Sequence, residues 1–166
     1  LNRLLHPDIQ HIFIEDNDSV FYRTHYINKI VNTVSTKYIA IWDADVIVQK
    51  DQIISSIELL RNNKADFVYP YKDIMLNVPP CVKKIYFKTS DFSVLTKFSQ
   101  GFHTMYGPNA IGGGFIVNSK KYIEAGMENE NYYGWGLEDG ERYHRWKRLD
   151  YNIVHVEGVL YHLDHS

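Results

Sequence analysis

Apolar positions along the chain change their period several times, and each change marks an element. His11 to Glu15 is a short apolar run that breaks off in Asp16-Asn17-Asp18-Ser19, a cluster of turn and cap residues, and predicts a strand leading into a loop. Tyr26, Ile27, Ile30, Val31 and Val34 recur at the spacing of one helix face, and Lys37 to Trp42 is a second strand-like run that delivers Asp43. Asp51 is placed to cap a further helix with the stripe Ile53, Ile54, Ile57 and Leu60, and Asp66 to Tyr69 forms a third run closed by Pro70. Strands that alternate with helices imply parallel pairing through crossovers.

Residues 79 to 112 lose this regularity. Pro79-Pro80, Gly101, Gly107 and Pro108 interrupt a stretch with no clear period, which predicts a long functional loop. Order resumes with a strand at Gly114-Phe115-Ile116-Val117, a helix from Ser119 that Gly126 terminates, a helix from about Leu137 to Leu149, and closing strands at Asn152 to Val156 and Val159 to Tyr161. The expected fold is α/β, a mostly parallel central sheet flanked by helices in a single domain over residues 1–166. A doubly wound nucleotide-binding sheet normally begins with a strand, helix, strand unit, whereas this pattern opens almost directly on a strand. The first strand and helix are therefore expected to lie outside the sequence.

Composition narrows the partners. With 166 residues, 45% of them apolar, the chain can bury one substantial core. A formal net charge of -2 offers no basic field for a nucleic-acid backbone. Cys81 is the single cysteine and cannot form an internal disulfide, which points to a reducing, cytoplasmic setting, with any membrane association made through parts outside this chain. No apolar stretch approaches the roughly 20 residues that span a bilayer, and the N-terminus lacks a signal-peptide core, so the chain reads as soluble. Thirteen tyrosines, 8 phenylalanines and 3 tryptophans supply flat apolar faces of the kind sugars stack on, although core packing accounts for most of them.

Candidate chemistry gathers at three places. Asp43-Ala44-Asp45 sits where a strand ends, the edge at which open α/β sheets bind ligands; a period of two puts both carboxylates on one side, where a divalent cation bridging to a diphosphate relieves their repulsion. The same pair also suits a solvated strand end. His162-Leu163-Asp164-His165-Ser166 offers two imidazoles that a bend could bring to one ion, or two surface histidines. Tyr132 to Gly140 places glycines around Trp135 and then Glu138 and Asp139 at a helix start, where the helix dipole favours carboxylates able to accept a proton.

Taken in order, Gly113-Gly114, Ser119-Lys120, Tyr133-Gly134-Trp135-Gly136 and Glu138-Asp139 resemble the signature of the β1,4-galactosyltransferases and related GT-A glycosyltransferases. Phe21-Tyr22-Arg23-Thr24 resembles that family's Phe-Asn-Arg-Ala segment, Asp43-Ala44-Asp45 its Asp-Val-Asp, and the C-terminus its Met-x-x-His-Ser metal segment. Family 2 enzymes, polypeptide N-acetylgalactosaminyltransferases and bacterial chondroitin-type polymerases are similar toward the C-terminus. The resemblance implies a Rossmann-like GT-A fold and an inverting transfer from a UDP-sugar to a glycan hydroxyl. It implies that Asp45, His162 and His165 ligate manganese or magnesium, and that Phe21, Arg23, Asp43, Gly113 and Gly114 serve the donor. Trp135 and Glu138 would then line the sugar and acceptor pocket, and Asp139 would be the general base. His162 replaces a methionine, and Leu137 and Gly140 replace a glycine and an acid, which leaves donor and acceptor open. A non-catalytic sugar-nucleotide or glycan-binding module of the same fold is the alternative. A nucleotidyltransferase or metal hydrolase ranks below both, because neither accounts for the Gly-Trp-Gly before Glu138.

Overall fold

The computed structural model describes residues 12–72, 74–134 and 136–164. Helix α1 spans Arg23–Val31 and leads to strand β1, Tyr38–Trp42, and the two-residue strand β2, Val46–Ile47. Helix α2, Lys50–Arg61, precedes β3, Phe67–Tyr69, and β4, Met75–Val78. Helices α3, Pro80–Thr89, and α4, Ser93–Phe98, follow, then a 3-10 turn at Ser99–Gly101 and β5, His103–Tyr106. Strand β6, Gly114–Asn118, helices α5, Ser119–Glu124, and α6, Glu138–Arg148, and strands β7, Ile153–His155, and β8, Leu160–Leu163, complete the order.

Two mixed sheets result. The first has the order β1-β6-β3-β7 and the second β2-β8-β4-β5. In the first, β6 runs antiparallel to both β1 and β3, while β3 and β7 are parallel. The α/β class therefore holds, but the expected mostly parallel pairing does not. β1, β3 and β7 do share one direction; β6 opposes them because the chain leaves β3, builds β4, α3, α4 and β5, and re-enters at the edge where β1 ends, with the Asp43 amide on the Gly113 carbonyl at 2.9 Å. A strand that starts at that edge has to run backward.

Three local expectations are corrected. Residues 12–18 form no strand; Phe13 is 82% exposed, and an apolar run with no neighbour to pair with stays irregular. Residues 79 to 112 are not one long loop. Pro80 opens α3 at a position where its missing N–H costs nothing, and β5 pairs with β4 to extend the second sheet. Gln49, not Asp51, caps α2, its amide donating to Gln52 Oε1 at 2.9 Å, and Asp51 falls in the first turn. Gln52 also ties α2 to the sheets by donating to the Pro70 carbonyl at 2.6 Å. Elsewhere the periodicity matches: α5 gives way at Ala125 and Gly126, the latter at φ +88, where a glycine carries no steric penalty.

The main core lies on the first sheet. Trp146 of α6 is fully buried, with its ring 3.7 Å from that of Phe67 and edge-on to Phe115 at 5.2 Å. A smaller cluster of Leu76, Val78, Leu95, Phe102, Tyr161 and Leu163 holds α4 against the second sheet.

Candidate active site

The two sheets meet at Asp43-Ala44-Asp45, which the structure makes a tight turn and not the end of an extended strand. Val46 N donates to Asp43 O at 3.3 Å, and the Trp42 indole closes over the same turn by donating to Val46 O at 3.0 Å. The alternation of a strand no longer applies, so the two carboxylates take different partners, contrary to the same-side expectation. Asp43 Oδ1 accepts from Arg23 Nη2 at 2.7 Å; Asp45 Oδ2 lies 3.5 Å from His162 Nε2.

Strand pairing puts His162 there. β2 and β8 align Val46 with His162, next to Asp45, and the parallel β4 supplies Asn77 on the other side. His162 Nδ1 is 2.9 Å from Asn77 Oδ1. With Asn77 Oδ1 as the acceptor, Nδ1 is the donor of that contact, and Nε2 is the nitrogen that faces the Asp45 carboxylate. A carboxylate oxygen beside an imidazole nitrogen suits a borderline or hard divalent ion. His165 and Trp135 lie outside the described residues.

On the other side of the turn, Arg23 reaches from α1 into the site with its side chain 16% exposed. Its Nη1 stands 3.6 Å from Glu138 Oε1, and Glu138 is buried at the start of α6. Burial lowers the Arg23 pKa, but Asp43 beside it more than compensates, and the net shift is upward, so this guanidinium stays charged. Phe21 is exposed at the same rim and stacks on Tyr26 with centroids 6.0 Å apart.

Asp139 sits one residue on, 32% exposed, ion-paired with Arg142. Residue 137 precedes the helix in the left-handed region, φ +68, which projects the exposed Leu137 outward as the chain enters α6. Gly113 takes φ +80 and is packed so closely that a Cβ would lie 3.1 Å from Leu160 Cδ1. Gly114 has a packing role too: a Cβ there would stand 3.0 Å from the Trp42 ring. One cleft of about 1250 Å³ has Phe21, Arg23, Asp45, Gly113, Asp139 and His162 among its walls. Met105 and Tyr106 of β5 close another part of its rim.

Several residues at the site carry no local signal in the sequence. Tyr106 falls in the stretch without periodicity, Asn77 lies just before it in a segment with no expected element, and Gly112 is the neighbour of a recognised pair. Arg142 could have been found, since it lies three residues after Asp139 on one helix face.

Comparison with known proteins bears on this cleft. Residues 94–166 match the family model described as the N-terminal domain of galactosyltransferase. No curated protein gives a significant match. Among solved structures, a point mutant of Drosophila β1,4-galactosyltransferase 7 in complex with manganese, UDP-Gal and xylobiose superposes with a TM-score of 0.56 at 18% identity, over 82% of this chain and 45% of that one. The catalytic domain of the same Drosophila enzyme with xylobiose gives 0.55 at 19%, with the same coverage. The chain thus spans a little under half the length of the structures it matches. Its fold is similar to that of the Drosophila β1,4-galactosyltransferase 7 catalytic domain, and its C-terminal part is similar to the galactosyltransferase family model.

Proposed function

We propose that this chain carries the catalytic centre of an inverting, metal-dependent glycosyltransferase that moves a hexose or N-acetylhexosamine from a UDP-sugar to a glycan hydroxyl. The observation that supports it best is the meeting, in one cleft, of Asp45 and His162 on one side and of Arg23, Glu138 and Asp139 on the other. The Drosophila structure holds manganese, UDP-Gal and xylobiose, the same classes of ligand.

In this reading Phe21 and Arg23 hold the nucleotide, and Gly113 and Gly114 form the backbone floor of the donor pocket. Glu138, buried beside Arg23, orients a sugar hydroxyl, and the sequence resemblance assigns Trp135 to sugar and acceptor binding. Asp45 and His162, with His165, are the residues that would hold the divalent ion, and Asn77 fixes the imidazole for that task. The ion when bound would neutralise charge on the leaving diphosphate. Asp139 takes the proton from the acceptor hydroxyl as its oxygen forms a bond to the anomeric carbon; the bond to the diphosphate breaks on the opposite face, and the configuration inverts. The lone exposed thiol of Cys81 supports a reducing, cytoplasmic setting.

The test is turnover by the full-length protein of a panel of UDP-sugars against saccharide acceptors, with manganese or with chelator. Product of inverted configuration that forms only with metal is expected. Metal-dependent UDP binding with no turnover on the panel would make the protein a sugar-nucleotide-binding module instead.

A further inference from the structure

Arg142 points inward from α6, with 1% of its side chain exposed. Its guanidinium lies over the Phe115 ring at 4.4 Å and near Trp146 at 5.5 Å. Nη1 donates to Glu128 Oε2 at 2.8 Å, while Nη2 donates to Asp139 Oδ1. Glu128 is itself fixed: the Tyr122 hydroxyl donates to Oε1 at 2.6 Å, and the Glu128 amide donates to Asn28 Oδ1 at 2.9 Å. On the other side of Asp139, the Gly112 backbone comes so close that a Cβ there would stand 3.1 Å from Oδ2. The Tyr71 hydroxyl holds Gly112 in place by donating to its carbonyl at 2.5 Å.

An apolar side chain would fill the space between Phe115 and Trp146 without the desolvation that a buried guanidinium and carboxylate carry. The arginine instead links the core to the partly exposed carboxylate that faces the cleft. We propose that Arg142, anchored by Glu128, is a positioning residue that sets the orientation of the Asp139 carboxylate over Gly112 and so presents Oδ2 to the acceptor hydroxyl. This rests on the reading of Asp139 as the base. A planar guanidinium spanning two carboxylates fixes a direction, which the single rotating ammonium of a lysine does not.

Arg142→Lys in the full-length protein tests it. The expected result is a fall in kcat of about 10- to 100-fold with an unchanged KM for the UDP-sugar, the signature of a misplaced reacting group. A crystal structure of the variant is expected to show the Asp139 carboxylate turned away from Gly112. Glu128→Gln, which loosens the anchor but leaves the Arg142–Asp139 pair, is expected to give a smaller fall in kcat of the same kind. Wild-type kcat in Arg142→Lys, or a carboxylate that has not moved, overturns the proposal. Should that variant not fold, Gly112→Ala presses on Oδ2 from the opposite side and is read the same way, lowered kcat at constant donor KM supporting the proposal and wild-type kcat overturning it. Undiminished turnover by Asp139→Asn would remove the base assignment alone, because the carboxylate's position in Arg142→Lys still decides whether Arg142 orients it.

Discussion

The first sheet and the second meet at the Asp43–Val46 turn and hold their charged groups in different ways. On the first-sheet side, Asp43, Glu138 and Asp139 each lie against a guanidinium, and the Arg142–Glu128 pair behind them is buried in the aromatic core. On the second-sheet side, Asp45 lies against an imidazole whose far nitrogen is bonded to a neutral amide. In the first arrangement two guanidiniums hold the carboxylates in place, a fixed side; in the second the partner is an imidazole, a side chain that can also serve as a metal ligand, an adaptable side. Fixed charges suit groups that must keep one orientation. The adaptable side suits the divalent ion of the proposed function.

The largest expected effect lies on the fixed side. Asp139→Asn is expected to lower transfer by about 10³-fold, in the range of a lost general base, while manganese-dependent UDP binding measured by calorimetry stays as it was. Equal losses of both would show that the two sides are not separate. Next is the core that backs the fixed side: Trp146→Ala is expected to destabilise the protein by about 3–5 kcal/mol in urea unfolding. Leu95→Ala, in the smaller second-sheet cluster, removes less buried surface and should cost less, and the reverse order would contradict the assignment of the main core.

Asn77→Leu probes the adaptable side. Manganese affinity is expected to fall about 10- to 100-fold as the imidazole loses its outer partner, with little change in stability. Unaltered affinity would detach His162 from the metal. The smallest effect is a pH dependence. Burial holds the His155 imidazole below its ordinary value of 6.5, outweighing the hydrogen bond it makes to the Tyr71 carbonyl. The folded state therefore prefers the neutral ring, and its contribution is fully present above the unfolded pKa. It is lost as pH falls from there through the folded value, and unfolding curves for His155→Gln are expected to lack that part of the acid slope.

The sequence allowed α2, β3, β6, α5 and α6 to be read closely, because each carries an apolar period and a cap or breaker at its end. It misled where the chain depends on a partner. His11 to Glu15 looks like a strand, yet residues 12–15 find no strand partner among the described residues, and β5 looks like loop until it is seen to pair with β4. Residues that line the cleft were legible where a motif marks them, as at Asp43, Asp45, Glu138 and Asp139. Arg142, Glu128, Asn77 and Gly112 were passed over because their roles depend on contacts across the fold and not on neighbours in a motif.

Local preference along the chain, then, determined α1, α2, α5 and α6, most of the first-sheet strands and the residue types available for chemistry. Only the tertiary structure decided that Asp43-Ala44-Asp45 is a turn joining two sheets, that its two carboxylates take different partners, and that β6 runs backward between β1 and β3. Period and capping are short-range and can be read from one segment. Strand direction and charge pairing are set by which distant segment arrives alongside, and a linear pattern does not carry that information.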